Sequence, residues 1–252
     1  MNVITVEHLS LIRGHRRLIR DLSFSINPGQ ITVIMGPNGS GKSSLLLALL
    51  GLLPINSGFI QLNGRPLERF SRRDISRLMA WQGDMPPTEF GLTVHQRLEL
   101  ALERGLGELA GHDMEDICHL LEIGHLLKRR LAELSAGERQ RTELAATLLR
   151  NTPLWLLDEP VAHLDLKHQV SWLALMKHYA QAGKAILAVL HDVQQACAIA
   201  DEVILISDKG QATFGPADVM LTEKTLEELF QTPLSRLSDT NGRAVLLPSY
   251  EV

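Results

Sequence analysis

The stretch ITVIMGPNGSGKSSLLLALLGL, residues 31–52, decides the fold. A β-branched apolar run leads into three glycines, a lysine and a pair of adjacent serines, and a leucine-rich segment follows. Glycine loses more backbone freedom on folding than any other residue. Clustered glycines therefore imply positive φ, or something that must approach the main chain closely. Gly36, Gly41, Lys42 and Ser43 meet the pattern G-x-x-x-x-G-K-[ST] in full. Between a strand and a helix, such a loop (Gly36, Pro37, Asn38, Gly39, Ser40, Gly41) wraps a phosphate with backbone N–H groups. The helix that opens at Lys42, Ser43 and Ser44 directs its partial positive end at the same phosphate. Lys42 is expected to reach the β- and γ-phosphates, and the Ser43 hydroxyl to ligate Mg²⁺.

Outward from this loop, the chain reads as α/β. NVITVEHLSL (2–11) alternates apolar and polar residues, as a half-exposed strand does, and LIRDLSFSI (18–26) leads into a Pro28-Gly29 turn. SGFIQLNGRPL (57–67) is a short strand with an Asn63-Gly64 turn. From Thr93 to Arg130 the apolar spacing turns helical. Beyond it, helices alternate with the strands PLWLLDEP, KAILAVLHD and EVILISDKG, which indicates a parallel sheet.

The 252 residues allow one large α/β domain or two small ones, and 45% apolar residues can build the core of either. A net charge of −4 supplies no general attraction to nucleic acid or anionic lipid, so no nucleic-acid partner is expected. Cys118 and Cys197 have no metal-type spacing and are expected as reduced thiols. The longest apolar run, Leu45 to Leu50, falls far short of the ~20 residues a membrane-crossing helix needs. The chain is expected to stay in the cytoplasm unless another chain holds it to a membrane.

Two carboxylates, Asp158 and Glu159, end the buried run LWLLDEP. At the C-terminal edge of a parallel sheet they lie where open α/β folds bind ligands. Asp158 suits a hold on Mg²⁺ through its water shell, and Glu159 suits a general base acting on the attacking water. LSAGERQR (134–141) has no evident place inside one nucleotide site, and its residues alone permit a simple helix cap, Ser135 with Glu138.

The ordered set GPNGSGKS, Gln82, LSAGE, LLDEP, AHLD and His191 resembles the ABC-type ATPases over nearly the whole chain, from Val3 to about Leu234. The resemblance implies a P-loop NTPase core with a mixed sheet, an antiparallel β subdomain and a helical subdomain inserted at about 84–134. It leaves 235–252 as a short C-terminal tail. It also implies ATP and Mg²⁺ as cofactors, with Gln82 touching the metal and the attacking water. Ser135 and Gly137 are implied to contact the γ-phosphate held by a second copy, Asp165 to lie at that head-to-tail interface, and His191 to sense the γ-phosphate. Three positions depart from the pattern. Arg13 stands where an aromatic usually stacks on adenine, Ala136 replaces a glycine, and Glu138 replaces a glutamine. A guanidinium can also stack on a base.

LERFSRRDISRLMAWQ, FGLTVHQRLELAL and the ending GPADVMLTEKTLEELFQTPLSRL look like the ATPases of iron-siderophore, haem and cobalamin importers. That resemblance implies a peripheral subunit on the cytoplasmic face of the inner membrane, docked on a permease and indirectly served by an external binding protein. The docking surface is expected within Asp84 to Leu100, with Met85, Phe90 and Leu92 as its apolar residues. A haem-handling exporter for cytochrome maturation and a non-transport ABC ATPase stand as the alternatives.

Overall fold

A computed structural model describes residues 2–83, 91–104, 114–238 and 244–249. Along the described chain the strands are β1 (Ile4–Arg13), β2 (Arg16–Ile26) and β3 (Ile31–Met35). Helix α1 (Lys42–Leu49), β4 (Ser57–Leu62), β5 (Arg65–Pro66), α2 (Arg72–Leu78) and β6 (Met79–Gln82) follow. Next come α3 (Val94–Arg104), α4 (Met114–Leu120), α5 (Ala136–Arg150), β7 (Leu154–Asp158), α6 (Leu166–Gln181) and β8 (Ala185–Val189). The chain closes with α7 (Val193–Ile199), β9 (Glu202–Ile206), β10 (Ala212–Pro216), α8 (Ala217–Met220), α9 (Glu223–Phe230), β11 (Leu234–Ser238) and β12 (Ala244–Pro248).

The central sheet has the order β10-β9-β3-β8-β7-β6, parallel throughout except for the β10–β9 hairpin. Its strands are buried on both faces, and the two-residue period sorts their side chains into two cores. Trp155, Leu157, Ile186, Ala188, Val33 and Met35 join the core built with α3 to α7. Leu154, Leu156, Leu187, Val189 and Ile34 face the other way, towards α1 and a four-stranded antiparallel sheet, β2-β1-β4-β5. Trp155 stacks on Trp172 of α6 at 6.3 Å between ring centroids, which fixes that helix against the sheet. The antiparallel sheet turns where the sequence says it should. Asn63 and Gly64 both take positive φ, 50° and 73°, as a two-residue hairpin turn requires.

The helical region departs from the simplest reading of its sequence. The apolar spacing through residues 114–130 predicts continuous helix, yet α4 stops at Leu120 and a 3₁₀ turn occupies 124–126. Glu122 takes φ 53°, the Glu122 N–H donates to His119 O, and the Ile123 N–H donates to Cys118 O. This paired bonding is a Schellman stop, and it ends the helix although the apolar pattern runs on. Further along, α5 packs on α3 through Val94, Leu98 and Ala101 and through a bidentate ion pair. In that pair, Arg97 Nη2 lies 2.6 Å from Glu143 Oε2 and Nε lies 3.1 Å from Oε1.

Part of the segment expected as a short C-terminal tail is paired as sheet. Strands β11 and β12 form an antiparallel hairpin, and Leu234 and Leu246 are buried in the helix-side core. Gln194 of α7 donates to the Leu246 carbonyl. Of the expected docking segment, Asp84–Phe90 lies outside the described residues. Leu92 is partly buried against the core, and its carbonyl accepts from the Leu131 N–H at 2.9 Å. Among the described residues no helix is long and apolar enough to cross a membrane.

If the hairpin is integral, Leu246→Ala removes buried methyl groups and should lower stability by about 2–5 kcal/mol. A urea titration of the purified chain measures this. An unchanged midpoint would mean that the hairpin contributes nothing to the core.

Candidate nucleotide site

The four parallel strands β6, β7, β8 and β3 end on the same side of the sheet; β6 and β7 end there in Gln82 and Asp158, His191 follows β8, and β3 leads into the phosphate loop. Strand β3 ends at Met35, and the phosphate loop leaves it at Gly36 with φ 154°. A Cβ at Gly36 would stand 2.1 Å from the Ile206 carbonyl oxygen of β9, so only glycine fits. Gly41 precedes α1 at φ 110°, and its Cβ would meet the Leu18 side chain at 2.9 Å. The first turn of α1 carries no acidic residue, so its N–H groups keep their positive end for a ligand.

Lys42 is 6% exposed, and its Nζ donates to the Gly36 carbonyl at 2.8 Å and the Pro37 carbonyl at 3.0 Å. Burial pushes its pKa below the ordinary lysine value, while Glu159 and Asp158 nearby pull it back up. Ser43 is exposed and Ser44 buried, and the buried Ser40 hydroxyl has no hydrogen-bond partner among the described residues.

Gln82 ends β6 opposite Leu157, one residue short of Asp158 at the end of β7. Gln82 is 4% exposed, and its Oε1 has no hydrogen-bond partner among the described residues. A buried amide oxygen in that condition suits a cation, and the Ser43 hydroxyl and the Asp158 carboxylate are further oxygen donors of the kind Mg²⁺ takes. Glu159 follows at φ 51°, an uncommon conformation for a side-chain-bearing residue. His191, two residues beyond β8, brings Nε2 to 2.7 Å from Glu159 Oε1. Asp192 then caps α7, accepting from the Gln194 and Gln195 N–H groups.

The loop and Glu159 border a cleft of about 560 Å³, lined by Asn38, Gly39, Gly41 to Ser44 and Glu159 together with Arg13, Arg16 and Leu18. Arg16 was not singled out from the sequence. The signal was present, because Arg13 and Arg16 flank the tight Gly14-His15 turn and pair across β1 and β2, which brings both to one hairpin end. Arg16 lies beside the loop, with Nη1 3.4 Å from where a Gly39 Cβ would stand. A larger cavity, about 1050 Å³, opens around α4, lined among others by His95, Cys118 and His119. It contains no residue of the phosphate loop or of the strand ends, so the chemistry belongs to the smaller cleft.

Ser135 and Gly137 do not line this cleft. Ser135 caps α5 instead. Its Oγ accepts from the Glu138 N–H at 3.3 Å, and the Glu138 carboxylate accepts from the Ser135 N–H and hydroxyl at 2.8 Å each. Those bonds, from backbone first and then hydroxyl, hold the Glu138 carboxyl below its ordinary pKa. Ala136 begins α5 in helical backbone, so the extra methyl costs no strain. Gly137 is needed for approach rather than for φ, since its Cβ would stand 2.9 Å from the His163 carbonyl. Asp165 caps α6, accepting from the His168 N–H at 2.9 Å.

A phosphate loop, strand-end carboxylates and a capped glycine-containing helix in this order are mirrored in known proteins. Residues 19–162 match the family ABC transporter. This chain belongs to that family. It is 32% identical to the iron(3+)-hydroxamate import ATP-binding protein FhuC of Bacillus subtilis (strain 168), over 100% of this chain and 96% of that one. It is 34% identical to the vitamin B12 import ATP-binding protein BtuD of Vibrio atlanticus (strain LGP32), covering 97% and 99%. It is 33% identical to the hemin import ATP-binding protein HmuV of Hahella chejuensis (strain KCTC 2396), covering 88% and 90%. Among solved structures, a metal-chelate type ABC transporter in an inward-facing conformation matches with a TM-score of 0.80 and 26% identity, over 99% of this chain and 98% of that one. The chain is an ATP-binding ABC ATPase.

Two outcomes follow from the cleft. Lys42→Ala removes a buried cation from the phosphate end and should weaken ATP binding by more than about tenfold, from the ~1.5–3 kcal/mol of a charged hydrogen bond. Equilibrium titration with a fluorescent ATP analogue reads this, and binding within about threefold of wild type would contradict it. If the Arg13 guanidinium stacks on adenine, Arg13→Ala should cost about 0.5–2 kcal/mol of affinity and Arg13→Tyr should restore it. Equal affinities for all three forms would place the base elsewhere.

Proposed function

We propose that this chain is the ATP-hydrolysing subunit of an importer, working as a head-to-tail dimer that closes around two ATP molecules. The observation that carries the reading is the split of its motifs. The loop and Glu159 line one cleft and His191 bonds to that Glu159, whereas Ser135 and Gly137 stand at the start of α5, do not line the cleft and are tied instead to Glu138 and the His163 carbonyl. A second copy would present its Ser135 hydroxyl and Gly137 N–H to the γ-phosphate, and each site would then need both chains. ATP shifts the equilibrium towards the closed dimer because its charge-assisted bonds exist only there.

In each site the loop N–H groups and Lys42 would hold the phosphates. Ser43, Gln82 and Asp158 would hold Mg²⁺, which when bound screens the phosphate charge. Glu159 would take a proton from the attacking water. His191 stands 2.7 Å from that carboxylate and would set its direction. Transport would come from docking on a membrane permease at the cytoplasmic face, served from outside by a binding protein. Similarity over nearly the whole chain to subunits named for importing iron(3+)-hydroxamate, hemin and vitamin B12 supports uptake of a cargo of that kind.

Glu159→Gln should keep ATP binding, accumulate as an ATP-bound dimer and turn over at least about a hundredfold more slowly. Size-exclusion chromatography with ATP and Mg²⁺, beside a phosphate-release assay, tests both halves. A variant that stays monomeric would remove the ATP-closed dimer, and one that hydrolyses at the normal rate would remove Glu159 as base.

A further inference from the structure

We infer that Gln140 is a positioning residue, a buried amide through which the helix carrying Ser135 and Gly137 sets the direction of Glu159. Gln140 is 3% exposed, and its Nε2 donates to the Pro160 carbonyl at 2.7 Å and the Glu159 carbonyl at 3.3 Å. Its place on the helix explains the contact. Gly137 and Gln140 are three residues apart on α5 and so share a face. That face meets the 159–163 turn at two points. Gly137 packs where a Cβ would stand 2.9 Å from the His163 carbonyl, and Gln140 reaches the carbonyls at the turn's start.

The turn needs such a support. Glu159 and His163 both hold positive φ, 51° and 63°, without being glycine. Such conformations persist only where surrounding contacts over-determine them. The far end of the turn is held in the same way, by Gln169 of α6 donating to the Leu164 carbonyl at 2.9 Å. Gln195 of α7 in turn donates to Gln169 Oε1 at 3.1 Å. All three braces are neutral amides, so they fix the backbone beside the phosphate site without adding charge to it. Of the three, Gln140 alone stands on the helix expected to touch the nucleotide of the other subunit. A small shift of α5 on engaging that nucleotide would move the Glu159 backbone directly. The state of one site thereby reaches the base of the next.

This inference rests on Glu159 being the base, and its test separates the two. Gln140→Met keeps the volume and removes the donor. Gln140→Glu keeps the shape and replaces the donor with an acceptor. Both are expected to lower kcat by about ten- to a hundredfold, the scale of a misplaced catalytic group. Their dissociation constants for a fluorescent ATP analogue should stay within about threefold of wild type, because the Gln140 Nε2 bonds go to the Pro160 and Glu159 carbonyls and not to the loop or Lys42. The decisive readout is a double-mutant cycle in single-turnover hydrolysis. Adding Gln140→Met to Glu159→Gln should cause no further loss, since Gln140 acts only through that carboxylate. Wild-type kcat in either soluble Gln140 variant, or losses that multiply in the double variant, would overturn the inference. Normal turnover by Glu159→Gln alone would instead overturn the assignment of the base.

Discussion

The passage of the Gly36 backbone against the Ile206 carbonyl is the contact on which the site depends. With 2.1 Å between a would-be Cβ and that oxygen, the chain can leave β3 and turn across the end of β9 only as glycine. That turn starts the loop that leads through Gly41 into α1. Any larger residue would push the loop off the sheet, and Lys42 with it. The same economy recurs at Gly41 against Leu18 and at Gly137 against His163. At each point a missing side chain lets two backbone segments touch.

The charge distribution follows from this tight packing. Lys42 is buried where its cation is costly, and Asp158 and Glu159 offset part of that cost. Its ammonium donates to loop carbonyls, contacts that a phosphate, as a charged acceptor, would outcompete. On the far side of the turn His191 holds Glu159 by one oxygen. The ends of β7 and β8 and the start of α1 therefore set the positions of these groups, and pairwise contacts set their directions.

In the proposed dimer Ser135 would serve two purposes that draw on one hydroxyl. Within the chain it closes a capping box with Glu138, which satisfies the first turn of α5. As a phosphate ligand it would have to redirect its proton from the Glu138 carboxylate to the γ-phosphate. The N–H of Glu138 would still be capped, because the hydroxyl oxygen can accept while it donates elsewhere. The glutamate in place of the family's glutamine thus keeps the helix start intact.

The sequence by itself determined what is local. The glycine-lysine spacing of the loop, the Asn63-Gly64 turn, the Ser135–Glu138 box and the period-two strands all depend on residues a few positions apart, and each is legible without a fold. The order of the motifs added the family. Tertiary structure decided the rest. It ended α4 at a left-handed Glu122 although the apolar pattern ran on, and it paired Leu234–Ser238 with Ala244–Pro248 as antiparallel strands. It brought Arg16 to the cleft beside Arg13. It also joined Gln140 to carbonyls 19 and 20 residues away. A glutamine in a helix carries no mark of such a contact, because its meaning comes from which distant backbone the packing of α5 places within its reach.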